Sequence, residues 1–310
     1  MQKGLKIFVK CVVWVFCICA GILAILNIGE RFVYHDFYAI YKKEAKNPGL
    51  NKKFVPQGCT FDSKEGLFVT AGYMANHSPS RIYTINQKTK QVIFHNLKSE
   101  GTDFLGHTGG LQYIEGKFYL ANEGVGVYVF DESELANDFV EIGAPVLVNN
   151  HSSFVFADTE FLYVGEFHHS GKYDCEHKIE QNGQTHYAIA TKYIRKDFEK
   201  NPVPVEIYSI PNDVQGMAFF PDGKIVLSTS WALNPSHFYI YQKQDAPQKT
   251  EYLGLPLTFL SDDTNILSAP PMSEDLDILD GKLITFSELA CDKYILGKLF
   301  FYYDIYSLKI

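Results

Sequence analysis

The stretch Val214-Gln215-Gly216-Met217-Ala218-Phe219-Phe220-Pro221-Asp222-Gly223-Lys224-Ile225-Val226-Leu227-Ser228-Thr229-Ser230-Trp231 decides the fold. It is two apolar strands around an Asp-Gly turn, and it recurs. Gly216 and Gly223 serve as rulers. Gly109 and Gly116 bracket a second copy, which runs on into Phe118-Tyr119-Leu120-Ala121-Asn122-Glu123. Gly58 and Gly66 bracket another, with one residue inserted, before Leu67-Phe68-Val69-Thr70-Ala71. Ser153 stands in the glycine's place ahead of Phe161-Leu162-Tyr163-Val164-Gly165-Glu166. Glu274 does so ahead of Asp280-Gly281 and Lys282-Leu283-Ile284-Thr285-Phe286-Ser287-Glu288.

The five copies are spaced by 51, 44, 63 and 58 residues. Hairpins repeating every 40 to 50 residues, with further short strands between them, are the signature of propeller blades. The expected fold is all-β, a five-bladed β-propeller, with a degenerate six-bladed ring as the alternative. Weaker segments supply the outer strands, among them Val140-Glu141-Ile142 for the second blade and Thr250-Glu251-Tyr252-Leu253 for the fourth. The fifth copy is short of length, so the segment around Lys53-Phe54-Val55 is expected to close the ring and cover an open sheet edge.

One propeller occupies about 250 residues, so a chain of 310 needs only one large domain. Phe and Tyr supply most of its 15% aromatic content, as suits strands whose broad side chains pack between sheets. Residues 1–50 carry seven Lys/Arg against three Asp/Glu, which leaves 21 against 33 in the remainder. A domain that acidic repels phosphate backbones, which argues against nucleic acid and leaves neutral or cationic ligands. The six cysteines imply no disulfide framework, although a single Cys175–Cys291 bridge stays open.

Residues 11–28 contain no charge and are just long enough to cross a bilayer, with Lys3, Lys6 and Lys10 ahead of them. No convincing pair of small residues marks a cleavage site, so residues 1–29 read as a transmembrane signal anchor with a cytoplasmic N-terminus. Val33, Phe37, Ile40 and Tyr41 fall at helical spacing, and residues 30–53 are expected to form a stalk or linker helix, either along the membrane or against the propeller. Residues 54–310 form the propeller. The stretch His168 to His186 is an insertion in the third blade, read as a solvated loop with a lid or partner contact as the alternative.

In a propeller blade the lead-in to the innermost strand and the exit from the second strand lie on one face. The repeat alignment thereby gathers Gln57, His107, His151, Gln215 and Glu274 at one funnel, with Asn122, Glu166, Ser230 and Trp231 from the exits and Tyr73 beside them. Such polar groups are out of character with the apolar strands and mark a candidate site. Two imidazoles and a carboxylate, His107, His151 and Glu274, suit a zinc-like ion, and carboxylates with amide oxygens suit calcium. Without a divalent metal, His107 or His151 is a candidate general base oriented by Glu166 or Glu274. The plainer alternative is that these groups cap buried backbone at the blade junctions.

The motifs Gln215-Gly216-Met217, Ser228-Thr229-Ser230-Trp231, Ala269-Pro270-Pro271-Met272-Ser273-Glu274 and His107-Thr108-Gly109-Gly110 resemble those of uncharacterised secreted propeller-like proteins of Gram-positive bacteria. That resemblance covers roughly residues 55 to 310 and implies the fold without an activity. More distantly, Phe219-Phe220-Pro221-Asp222-Gly223 is similar to a turn of the gluconolactonase and paraoxonase-like calcium lactonases, which have six blades. The expectation is a membrane-anchored, extracytoplasmic, monomeric propeller. It binds a small polar or carbohydrate ligand, with Trp231 and Tyr73 stacking and Gln57, Gln215 and Glu274 bonding hydroxyls. A metal-dependent hydrolase or lactonase in the same funnel, and a protein-binding scaffold, are the alternatives.

Overall fold

Every one of the five hairpins forms, and each is the inner pair of one blade. The computed structural model describes residues 2–242, 250–300 and 302–310, with side chains from residue 8 onward. The inner pairs are Phe54–Asp62 with Leu67–Met74, Thr108–Ile114 with Lys117–Asn122, Phe154–Ala157 with Phe161–Gly165, Val214–Phe219 with Ile225–Thr229, and Asp277–Leu279 with Lys282–Phe286. Third strands follow at Arg81–Asn86, Gly126–Asp131, Ala188–Ile194, Ser236–Tyr241 and Asp304–Leu308. The fold is a five-bladed propeller.

The inner strands touch one another directly around the axis, which explains the ruler glycines. A Cβ at Gly58 would stand 2.6 Å from the Leu111 amide nitrogen, and one at Gly216 would stand 2.8 Å from that of Leu276. The register also corrects the alignment of the copies. Bulges fall between Pro56 and Gly58, Thr108 and Gly110, and Val214 and Gly216, so Gly110, not Gly109, is the counterpart of Gly58 and Gly216.

The outer strands differ from expectation in three places. Phe139–Glu141 pairs in parallel with Val92–Ser99, so it extends the first blade instead of completing the second. Thr250–Tyr252 and Leu255–Phe259 form a hairpin that extends the third blade, and the fourth takes Asn265–Ala269 as its outer strand. The ring is closed by Tyr41–Lys46, antiparallel to Asp304–Leu308, and not by the segment around Lys53. The helical spacing of residues 30–46 therefore ends at Ile40. A helix Gln2–Val33 gives way at Tyr34 to a short helix His35–Ile40, and the chain then extends as a strand whose Tyr41 and Lys43 both meet Asp304. Residues Phe8–Val33 are long and apolar enough to cross a membrane. All six cysteines are free.

Two acids of the fifth blade staple this ring. The Asp275 carboxylate accepts the amides of Cys59 and Leu111 at 3.2 and 2.8 Å, joining the inner strands of the first two blades to the fifth. Asp277 accepts the Thr60 hydroxyl at 2.8 Å and the Phe61 amide at 2.9 Å, and Gln112 Nε2 donates to the Leu276 carbonyl at 2.9 Å. An inner strand faces the axis with amides its own ladder leaves unpaired, and these acids satisfy them in the buried interior.

Removing Asp275 strands two buried donors at about 1 to 3 kcal/mol each. Asp275→Ala is therefore expected to lower stability by about 2 to 6 kcal/mol. Asp275→Asn, which keeps one acceptor oxygen, should lose less, and Asp263→Ala on the surface almost nothing. Thermal and urea unfolding of the three variants checks this order.

Candidate functional site

The three bulges do more than bend their strands. The bulged residues are Gln57, Gly109 and Gln215, and together with Ser153 and Glu274 they ring one mouth of the axis. A bulge re-aims one side chain out of the pleat. Here it turns polar groups toward a cavity of about 370 Å³, inside the range of ordinary small-molecule sites.

Seven of the ten residues expected from the sequence line this cavity: Gln57, Tyr73, His107, Gln215, Ser230, Trp231 and Glu274. His151 does not. Its ring is exposed, while its backbone amide donates to Glu166 at 3.0 Å. Glu166 is buried behind the mouth, where it also accepts the Ile189 amide at 3.1 Å and meets His177 at 3.3 Å. Asn122 is buried too, and its carbonyl accepts the Ser152 hydroxyl at 2.8 Å. The carboxylate beside His107 is Glu123, at 3.5 Å, and not Glu166 or Glu274. Among the described residues no group of three or more His, Cys, Asp or Glu side chains is placed to hold a metal ion.

The floor is acidic. Ser273 and Ser287 pair in an antiparallel bridge, with the Glu274 amide bonded to the Phe286 carbonyl and the Glu288 amide to the Met272 carbonyl. This pairing sets Glu274 and Glu288 diagonally on one face, a separation within reach of long side chains. Glu288 accepts Gln57 Nε2 and the Tyr294 hydroxyl, both at 2.8 Å. Among the described residues nothing donates to the Glu274 carboxylate. Burial raises both acids, Glu274 well above the usual carboxylate range. The neighbouring charge of Glu288, and then that of Asp275, pushes Glu274 further the same way. Lys293, Tyr294 and Gln57 favour the ionised form of Glu288, whereas of these only Lys293 does so for Glu274, so of the pair Glu274 is the one that favours the proton.

The walls are aromatic and were only partly visible in the sequence. On one side Tyr73 packs on His107 with ring centres 4.8 Å apart, and Lys293 bonds the Tyr73 hydroxyl. The His107 side chain keeps 43% of its surface exposed, yet desolvation against Tyr73 in the cavity wall, and then the nearby Lys293 charge, push its imidazole down to about 4. On the other side Phe167, Lys172 and Tyr173 line the cavity beside Trp231. His169 lies flat on Trp231 at 3.7 Å and is held by Asp213 at 2.7 Å. The start of the His168–His186 insertion is thus a wall of the site. Its far end forms the hairpin Ile179–Gln181 with Gln184–His186.

A second alignment, Ser209 with His186 at 2.9 Å and His186 with Asp262 at 3.3 Å, looks like a nucleophile, base and acid. Ser209 is fully buried and His186 nearly so, with its ring stacked on Phe259. No substrate reaches that hydroxyl, and the three residues act as a clamp between strands.

No protein-family pattern matches the chain, and no curated protein matches it. Among solved structures it is similar to a Xanthomonas citri GH43_1 enzyme complexed with xylose: 11% identity, 86% of this chain and 90% of that one, TM-score 0.48. It is also similar to Myxococcus xanthus glutaminyl cyclase, at 8% identity over 79% of this chain and 90% of that one, TM-score 0.46. A PQQ-bound aldose sugar dehydrogenase from Streptomyces coelicolor matches at 14% identity over 80% of this chain and 77% of that one, TM-score 0.44. Likenesses this distant bring no residue or ligand onto this chain.

The buried acids also set a pH dependence. A carboxyl whose folded pKa is raised stabilises the fold fully below its unfolded value and loses that contribution as pH rises through the folded one. Asp277, raised by burial to about 6, loses it between about 4 and 6; Glu274, raised well above the usual carboxylate range, loses it as pH rises through its folded value. His107, pushed down to about 4, acts oppositely, but only below about 6.5. Between pH 8 and 6.5 the acids govern, so Tm is expected to rise on acidification and Glu274→Gln to flatten the rise. A Tm that falls over this window, or an unchanged slope in the variant, contradicts the raised proton affinity of Glu274.

Proposed function

We propose that this propeller binds a small hydroxyl-rich ligand, a cell-envelope saccharide, in the axial cavity. The carrying observation is the juxtaposition of the floor and walls. Gln57, Gln215, Glu274 and Glu288 offer amide and carboxyl groups at the bottom, and Tyr73, Tyr294, Phe167, Tyr173 and Trp231 stand around them. A pyranose carries hydroxyls at its edge and C–H groups on its faces, so it needs polar partners in one direction and ring surface in the other. A protonated Glu274 donates a hydrogen bond as well as accepting one, which suits a hydroxyl that does both.

The reading includes a single-pass anchor at residues 11–28 with the propeller outside the cytoplasm, supported by Lys3, Lys6 and Lys10 ahead of the apolar run. It also includes kinship with the secreted propeller-like proteins of Gram-positive bacteria, supported by the motifs around Gln215 and Glu274.

A second reading, hydrolysis of the bound ligand, is favoured by the acid pair. Glu274 holds a proton to give to a leaving group, and Glu288, ionised between Gln57 and Tyr294, is placed as a base. This version differs from the metal-dependent one expected from the sequence, because His151 lies outside the cavity and no step runs through a metal.

Titration of the full chain in detergent with mono- and oligosaccharides, followed by tryptophan fluorescence and calorimetry, tests the proposal. Losing a neutral hydrogen bond or a stacking surface at a desolvated site costs about 1 to 3 kcal/mol, or about five- to hundredfold in affinity. Glu274→Gln and Trp231→Ala are each expected to weaken binding to that extent, with His151→Ala unchanged. Release of reducing ends that stops in Glu288→Gln establishes the hydrolase, and binding without turnover establishes the binder. No saccharide binding at millimolar concentration refutes both.

A further inference from the structure

The junction of helix and propeller carries a feature that the ligand cavity does not use. Asn27, near the end of the apolar helix, donates from Nδ2 to the Leu23 carbonyl in its own helix at 2.8 Å and to the Leu299 carbonyl of the propeller at 2.9 Å. The second bond ties a short helical turn, Ile295–Leu299, to the helix. The propeller end of that turn is pressed inward at Gly297, where a Cβ would lie 1.8 Å from the Leu289 carbonyl oxygen. Lys298 turns back to Asn51 at 2.9 Å and to Asp292. The two remaining apolar side chains point outward, with Ile295 78% and Leu296 67% exposed.

The height of this turn follows from the helix. Residues 11–28 have no charge, and Glu30 and Arg31 are the first charges after Lys10. At about 1.5 Å per residue an 18-residue stretch nearly fills a hydrocarbon core of about 30 Å, so its far boundary falls close to Asn27 and Glu30. Tyr38 marks the same level: its hydroxyl bonds Glu30 at 2.6 Å and its ring lies 4.8 Å beneath the Arg31 guanidinium. Tyrosines and arginines at one level are the usual markers of the headgroup layer. Leu299 is fixed at that depth by its bond to Asn27. Ile295 is four residues away, about 8 Å along a tight helical turn.

We infer that Ile295 and Leu296 form a knuckle that inserts into the leaflet from which the propeller emerges, giving the domain a second hold on the lipid beside the helix. This rests on the reading of the helix as membrane-spanning. The occupant is lipid because the turn that carries the exposed pair is tied to the apolar end of the helix at Leu299, and the charges beside it turn toward the propeller, Lys298 to Asn51 and Asp292 and Lys293 to Tyr73. Two holds on one surface fix the tilt of the propeller axis, which a single helix does not.

The test uses the full chain in phosphatidylcholine vesicles containing lipid spin-labelled high on the acyl chain. Leu296→Cys, and separately Ile295→Cys, carry an environment-sensitive fluorophore in a background with Cys11, Cys17, Cys19 and Cys175 replaced by serine. Leu253→Cys, 63% exposed on the edge of the third blade, is the water-facing control. Quenching of Trp14, with Trp231 replaced by phenylalanine, reports the helix independently. The expected result is at least twofold quenching at 295 and 296, none at 253, and quenching of Trp14. Quenched Trp14 with unquenched labels at 295 and 296 overturns the knuckle and leaves the anchor. Labels that shift to the blue without lipid quenching mean a protein contact, which also overturns it. Unquenched Trp14 removes both readings.

Discussion

The carboxylate of Asp275 at the propeller axis is the contact on which the arrangement turns. The inner strands of the first two blades face the axis with buried amides that their own ladders leave unpaired. Two of those amides, from Cys59 and Leu111, end on one side chain of the fifth blade. The acid is costly to bury, and burial raises its proton affinity against the pull of the amides that hold it. The same desolvation that makes it costly makes its bonds strong. The last blade is therefore fastened to the first two through the middle of the ring as well as around its outside.

The axial clamp and the cavity are consecutive on the chain. Glu274 points into the mouth while Asp275 closes the axis and Asp277 holds the next inner strand, so one short segment of the fifth blade builds the floor of the site and the centre of the fold. Bulges at Gln57, Gly109 and Gln215 place their residues at the same mouth from three other blades. Of the aromatic walls, Tyr73 and Trp231 belong to the repeat, whereas Tyr173 comes from the insertion in the third blade and Tyr294 from the segment beside Lys293.

The repeated hairpins were legible because two apolar strands around a turn leave a strong mark, and close packing at the axis demands glycine at a fixed place. The polar ring was legible for the same reason, to within one residue. Bulges hid the true register, since an extra residue at Gly109 mimics the ruler glycine beside it. The outer strands were not legible as to owner: Phe139–Glu141 has the same alternation whether it completes its own blade or extends the one before. His151 was misplaced because equivalence in sequence fixes where a backbone passes, not whether the side chain turns inward. Glu288 was visible as a strand exit, but its partnership with Glu274 depends on a diagonal across an irregular bridge. Lys172, Tyr173, Lys293 and Tyr294 lie in loops that no periodicity marks.

The strand Tyr41–Lys46 precedes the first hairpin and finds its partner, Asp304–Leu308, far along the chain, with Glu44 and Ser307 bonded across 263 residues. Few pairings in the molecule span more sequence, and long loop closures are slow to form. The fifth blade must therefore wait, with an edge exposed, until residues 304–308 have been made. The strand follows the apolar helix by only a few residues. On the proposed reading of that helix as an anchor, the final docking takes place close to the membrane, and assembly of the ring is tethered to a surface from its first element to its last.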